Sequence, residues 1–90
     1  MRISFDPAKR QWTLQKRRLD FVEAEQVFAG LTYTFEDDRF DYSETRWITF
    51  GLLRGRLIAV VWTLRGEDRH VISMRKCNDR EKKKYQARLA

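Results

Sequence analysis

Cysteine, proline and histidine occur once each in this chain of 90 residues, and their scarcity excludes several classes of protein. Cys77, the single cysteine, cannot form an internal disulfide, and with a single histidine it argues against a structural zinc site. The longest apolar run has six residues, 57–62, whereas a membrane-spanning helix needs about 20. Charged residues follow Arg2 where a secretory signal would be apolar. We therefore expect a protein of the reducing cytoplasm with no membrane partner.

The motifs of several enzyme classes are missing as well. The chain has no glycine-rich phosphate loop, no GxSxG nucleophile elbow and no HExxH metal motif. Its acidic pairs, Asp37-Asp38 and Glu67-Asp68, are typical of loops and turns and give little support to magnesium-dependent nuclease chemistry. We therefore expect no metal site and no cofactor, and one histidine excludes a mechanism that needs two.

Charge is abundant and unevenly distributed along the chain. Residues 1–19 hold six basic side chains and one acidic, residues 20–45 hold one basic and eight acidic, and residues 46–90 hold twelve basic and four acidic. The basic parts favour a polyanion such as nucleic acid, and the acidic segment favours a basic protein. The alternative is a solvated surface whose charges balance locally.

Periodicity and capping signals predict one α+β domain over residues 1–90, in the order β-α-α-β-β-β-β-α. Short turns join the later strands, so we expect a four-stranded antiparallel meander with the helices packed on one face. In the first helix the apolar positions are Ala8 and Trp12. The predicted strands lie at 3–5, 31–35, 46–53, 56–64 and 69–75, and the predicted helices at 7–17, 20–29 and 79 to about 89.

Strand alternation places basic and hydroxyl side chains together on the sheet face opposite the helices. Guanidinium groups bind phosphate through two hydrogen bonds and stack on bases, so this groove suits RNA. The alternative is an ordinary solvated sheet face. The same alternation assigns His70 to the core face with Ile72 and Met74, which indicates a structural role. The predicted groove contains Thr63, Arg65, Arg69, Ser73 and Arg75.

Six short segments, in one order over nearly the whole chain, resemble the BrnT family of toxins from bacterial type II toxin–antitoxin systems. In this family the first helix usually ends in Lys-His-Gly, whereas here the residues are Lys16-Arg17-Arg18. Met74 replaces the Ala of the family's Ser-Ala-Arg motif, and Cys77-Asn78 replaces its Ala-Thr. The matching segments are Phe5-Asp6-Pro7-Ala8-Lys9, the second-helix motif at 21–28, Ser43-Glu44-Thr45-Arg46 with Ile48 and Gly51, the strands at 60–65 and 69–75, and Glu81 with Tyr85.

The resemblance implies a fold akin to RelE-type ribonucleases and a metal-independent cut of RNA. It also implies a BrnA-like antitoxin, a ribbon-helix-helix DNA-binding protein. Two toxins would be held by one antitoxin dimer, and operator DNA would be reached only through the antitoxin. The acidic segment 20–45 is a candidate for part of the antitoxin contact.

Cleavage by the 2′-hydroxyl of RNA needs a base, charge stabilisation at phosphorus and an acid. We expect Arg65 and Arg75 to hold the phosphate, and Lys9 to bind phosphate or supply a proton. Tyr85 is a candidate acid or base-stacking residue. Glu81, like Glu44, is a candidate base, or it orients an arginine. The remaining predicted RNA contacts are Arg17, Arg46, Thr63, Arg69, Ser73 and Lys82.

Arg17 stands where the family has a histidine, and a guanidinium is a poor proton donor because it stays charged. We therefore expect weaker or differently organised catalysis than in relatives with that histidine. Two alternatives follow. The chain could bind RNA without cutting it, or it could act only as a co-repressor in complex with its antitoxin.

Overall fold

The computed structural model, which describes residues 1–89, has five strands and three α-helices and is an α+β fold. This confirms the predicted class and element order. The second predicted helix begins as a 3-10 turn, Phe21–Glu23, and the last one ends as another, Gln86–Leu89. The remaining elements are β1 Ile3–Phe5, α1 Pro7–Arg17, α2 Ala24–Ala29, β2 Thr32–Glu36, β3 Trp47–Leu53, β4 Arg56–Arg65, β5 Asp68–Lys76 and α3 Asp79–Tyr85.

The strands form one mixed sheet in the order β1-β5-β4-β3-β2. Strands β2 to β5 make the expected antiparallel meander, but β1 adds a fifth strand that pairs in parallel with β5. The prediction of a four-stranded, purely antiparallel sheet was therefore wrong. A three-residue strand carries no sequence signal for its partner, and this pairing joins residues more than 60 positions apart, such as Ser4 and His70.

Both faces of the sheet carry a hydrophobic core, so the prediction that helices cover one face was wrong. On one face the 3-10 turn and α2 contribute Phe21 and Val27, which pack against Val60 of β4. On the other, Leu89 and the half-buried Tyr85 pack with Leu57 and the rest of the second cluster. The unbroken apolar run 57–62 explains this, because a strand buried on both faces has no polar alternation.

Helix α1 begins and ends where the sequence predicts. The Asp6 side chain accepts a hydrogen bond from the Ala8 amide at 2.9 Å, and Pro7 occupies the first helical position. Its buried residue is Thr13, however, and Trp12 is exposed. Trp12, one of the two apolar positions of the predicted helix, therefore lies outside the core.

A β-bulge in β5 reverses the side-chain alternation of that strand. Val61 pairs with Ser73 but Trp62 pairs with Val71, so Ile72 is the extra residue. His70 pairs with Thr63 and therefore shares a face with Ser73 and Arg75, not with Met74. The predicted faces of residues 69–72 were wrong for this reason.

Candidate functional site

A cavity of about 310 Å³ opens where the start of α1 meets the end of β4 and the start of β5. Its polar lining comes from four separate parts of the chain, which only the folded sheet brings together. The cavity is lined by Asp6, Lys9, Glu44, Arg46, Arg65, His70, Val71 and Ile72.

One carboxylate holds the two arginines of this cavity in place. The Glu44 Oε1 atom lies 3.5 Å from Nη2 of Arg65 and 3.8 Å from Nη2 of Arg46. The guanidinium of Arg46 also stacks on Tyr42, 4.1 Å from the ring centroid. Because Arg65 is more than half exposed, its guanidinium can still reach a phosphate group.

The backbone around Glu44 is fixed by Thr63. Its hydroxyl donates a hydrogen bond to the carbonyl of Thr45 at 2.6 Å, and the side chain is buried. Thr63 was predicted to contact RNA, but its hydroxyl faces the protein. Its position indicates that it orients Glu44 and Arg46 on either side of Thr45.

His70 lies in the cavity with one ring nitrogen engaged. Its Nδ1 is 3.0 Å from Oγ of Ser4, on the neighbouring strand β1, and this is the ring's one hydrogen bond within residues 1–89. Burial, and then the positive charges of Arg65 and Lys9, hold the pKa of His70 below its ordinary value of 6.5, although Glu44 and Asp6 oppose the shift. The ring is therefore neutral at pH 7.

Sequence analysis missed His70 because strict alternation placed it in the core. The bulge at Ile72 depends on the pairing of β4 with β5, and no residue type in β5 predicts it. One signal was available: His70 lies five residues after Arg65 across a tight turn, and in a hairpin such residues come close together.

A second cavity of about 310 Å³ adjoins the first and shares Lys9 and Ile72 with it. Arg17 lies here, its Nη1 donating to the carbonyl of Met74 at 3.0 Å. The rest of the lining comes from Trp12, Thr13 and Ser73. The structure thus brings Arg17 and Ser73, both predicted RNA contacts, close to Lys9.

Arg75 and Glu81 lie further along the same sheet face, at the start of α3. The carboxylate accepts two hydrogen bonds from the guanidinium, at 2.8 and 2.7 Å. It also accepts one from the Asn78 amide at 3.1 Å and so completes a capping box. Arg75 is the main reason that the pKa of the Glu81 carboxyl is lowered. This geometry favours an orienting role for Glu81 over a role as base.

Two further predicted residues on α3 are engaged with protein neighbours. The ring of Tyr85 stacks on Phe50, with the centroids 4.1 Å apart, as part of the second core. The Lys82 ammonium lies 3.7 Å from the Asp79 carboxylate. Neither residue lines the two cavities.

Arg69 lies on the opposite face of the sheet, so its assignment to the groove was wrong. Its guanidinium carbon is 4.1 Å from the ring centroid of Phe28 and 5.2 Å from that of Trp62. The cause is again the bulge, because Arg69 pairs with Leu64 and follows the parity of Trp62.

Three other features bear on the chemistry of the chain. Residues 1–89 contain no group of three or more side chains that could hold a metal ion. Burial raises the pKa of the Cys77 thiol to about 11, so it is not poised as a nucleophile. No helix within the described residues is long and apolar enough to cross a membrane.

A family model described as "Ribonuclease toxin, BrnT, of type II toxin-antitoxin system" matches residues 5–81. The chain belongs to the BrnT family. The match confirms the resemblance carried by the sequence motifs, and it includes every residue that lines the two cavities. Membership implies an RNA substrate and an antitoxin partner for this BrnT-family chain. A comparison with curated proteins gives no match.

Proposed function

We propose that this chain is a metal-independent endoribonuclease that arrests translation and growth when its antitoxin is absent. One observation carries the proposal: a neutral histidine shares a single cavity with three cationic side chains, Lys9, Arg46 and Arg65. A neutral imidazole accepts a proton, and guanidinium and ammonium groups bind phosphate. These are the two capacities that cleavage by the 2′-hydroxyl requires.

His70 is the proposed proton acceptor. When Nδ1–H donates to Oγ of Ser4, Nε2 keeps its lone pair and can take the proton of the 2′-hydroxyl. The 2′-oxygen then bonds to phosphorus and the bond to the 5′-oxygen breaks, which yields a 2′,3′-cyclic phosphate and a 5′-hydroxyl. His70 thus supplies an acid–base group that Arg17, in place of the family histidine, cannot.

Arg65 and Arg46 stabilise the charge that develops on the phosphate oxygens, and Glu44 keeps both guanidiniums oriented. Lys9 lines the same cavity and is the proposed donor of a proton to the leaving 5′-oxygen. Arg75, oriented by Glu81, extends the cationic surface along β5 and binds the RNA backbone further along. Lys82 and the edge of Tyr85 contribute to this second region.

Expression of the chain alone, with growth and total RNA followed together, tests the activity in cells. We expect growth arrest and RNA decay, both lost in Arg65→Ala and strongly reduced in Arg75→Ala. Arg56→Ala is a matched control, because this exposed arginine lies at the other end of β4 and lines neither cavity. Intact RNA with normal growth from the folded wild-type chain would contradict the proposal and favour a non-catalytic RNA-binding protein or co-repressor.

The proposed partner is a BrnA-like ribbon-helix-helix antitoxin, with two toxins on one antitoxin dimer and operator DNA bound through the antitoxin. Glu36 and Asp38 are exposed in the acidic segment and fit a basic antitoxin surface. Asp37 is only 3% exposed and binds Arg39 and Tyr42, so it serves the loop itself. The RelE-like architecture and the cytoplasmic location stay predictions.

Charge reversal of the two exposed acidic residues tests whether they contact the antitoxin. We expect a Glu36→Lys, Asp38→Lys variant to bind the antitoxin more weakly, as measured by calorimetry with the purified partner. Reversal of Glu67, an exposed acidic residue in the β4–β5 turn, is the matched control. Unchanged affinity in the double variant would remove the acidic segment from the contact.

A further inference from the structure

Trp12 differs from the other two tryptophans in its exposure. Trp47 and Trp62 stack on each other in the first core, with ring centroids 5.0 Å apart. Trp12 is 51% exposed on the surface of α1 and belongs to neither core. A large flat ring left in water at a concave surface is a frequent binding element.

The ring lies beside the proposed phosphate site. The cavity that Trp12 lines adjoins the cavity of His70 and Arg65, because Lys9 and Ile72 line both. Apolar surface dominates the lining of the Trp12 cavity, whereas the first cavity is lined mainly by charged groups. A cationic pocket next to an apolar pocket with an aromatic wall matches a nucleotide, whose phosphate and base have these two characters.

Arg17 contacts the Trp12 ring and links it to β5. Its guanidinium is bonded to the Met74 carbonyl, and its central carbon lies 5.2 Å from the centroid of the indole. This cation–π contact ties the ring to β5. A preordered ring loses little conformational freedom when a base stacks on it.

We propose that the Trp12 cavity is a nucleobase subsite, in which the indole stacks on the base of a nucleotide adjacent to the phosphate held by Lys9 and Arg65. Ser73 lines the same cavity, and its hydroxyl is a candidate hydrogen-bonding partner for a polar edge of that base. The inference rests on the proposed ribonuclease function and names how the substrate is held. Stacking accepts any base, so the subsite fixes the position of the strand more than its sequence.

Binding of uncleavable strands tests the subsite separately from catalysis. The ligands are fluorescein-labelled 2′-O-methyl hexauridylate, 2′-O-methyl hexaadenylate and a 2′-O-methyl abasic hexamer of equal charge. The 2′-O-methyl group removes the attacking hydroxyl. Dissociation constants are measured by fluorescence anisotropy for the wild type and for Trp12→Ala, Trp12→Leu, Trp12→Phe and Arg65→Ala.

We expect the wild type to bind the base-bearing strands about tenfold more tightly than the abasic strand. Trp12→Ala and Trp12→Leu should bind all strands as weakly as the wild type binds the abasic one, and Trp12→Phe should keep part of the preference. Trp12→Leu retains an apolar side chain with high helix propensity, so it tests stacking even if the alanine variant is unstable. Arg65→Ala should weaken binding to every strand by a common factor.

Two failures are distinguishable. A preference for bases that is equally large in folded Trp12→Leu and in the wild type would overturn the subsite and leave the ribonuclease proposal standing. A folded wild-type chain that binds none of the strands would overturn both.

Discussion

At the scale of single residues, the proposed chemistry depends on His70 and on the strand that pairs beside it. The hydrogen bond between His70 Nδ1 and Ser4 Oγ exists because β1 pairs with β5 in parallel, which places the serine beside the ring. The surrounding cations have two roles in the proposed mechanism. They would bind phosphate, and together with burial, the larger cause, Arg65 and Lys9 keep the pKa of His70 below its ordinary value.

The fall in cleavage rate at acid pH should follow the protonation of His70. Because the pKa of His70 is lowered, we expect cleavage to stay constant through pH 7 and to fall only as the pH drops below 6.5. His70→Asn keeps an amide near the position of Nδ1 and removes Nε2, so the rate should fall about 100-fold or more and the acid limb should disappear. Ser4→Ala, the control, should retain the limb. An unchanged acid limb in His70→Asn would exclude the proposed role.

A second single-residue prediction concerns the end of α1. Arg18 has φ 59° and ψ 34°, the left-handed conformation that favours glycine. We expect Arg18→Gly to raise the free energy of unfolding by about 1 kcal/mol and the melting temperature by roughly 4–8 °C. Lys16→Gly, inside the helix, should instead lower it by about 1 kcal/mol. A lower melting temperature for Arg18→Gly would show that its side chain compensates for the strain.

At the scale of elements, α2 approaches β3 closely enough to require a glycine. A Cβ atom built on Gly51 would lie 2.7 Å from Cγ1 of Val27 and 3.4 Å from its carbonyl oxygen. This contact sets the separation between α2 and the sheet and closes the first core.

Adding a methyl group at Gly51 should therefore force α2 away from the sheet. We expect Gly51→Ala to lower the free energy of unfolding by about 1–3 kcal/mol, measured by urea denaturation. Gly30→Ala is the matched control, since a Cβ atom there meets only the Val27 carbonyl oxygen at 3.9 Å. Equal stability of Gly51→Ala and the wild type would contradict the close packing.

The elements also show how far sequence reasoning reaches. Features set by neighbouring residues can be read from the sequence: Asp6 and Asn78 cap their helices, and Arg54-Gly55, both with positive φ, form the two-residue turn between β3 and β4. The features that the sequence did not predict depend on pairing between strands that are distant in the chain. The parallel strand β1 and the bulge at Ile72 have no local signature, and together they changed the roles of His70 and Arg69.

At the scale of the whole molecule, the chain carries a net charge of +6, and the fold brings basic side chains from separate segments together. Lys9, Arg46 and Arg65 come from distant positions in the chain and line one cavity. Asp20, Glu23 and Asp37 of the acidic segment form ion pairs with arginines outside this cavity. The family motifs include Arg65, the proposed phosphate-binding arginine, but only the fold shows which other groups line the same cavity.

RNA affinity should therefore depend strongly on salt. With three or more phosphate contacts, the logarithm of the binding constant should fall with the logarithm of salt concentration with a slope of about −2 or steeper. Arg65→Ala should reduce the slope by about 0.7, and Arg56→Ala should leave it nearly unchanged. A flat salt dependence would exclude the cationic cavity as the phosphate site.

The most direct test of the central claim is incubation of the purified chain with a defined RNA in EDTA, with analysis of the product ends. We predict fragments that end in a 2′,3′-cyclic phosphate and begin with a 5′-hydroxyl, absent with His70→Asn or Arg65→Ala. RNA that stays intact with the folded wild-type chain, or fragments with 3′-hydroxyl ends, would contradict metal-independent cleavage by the 2′-hydroxyl in this cavity.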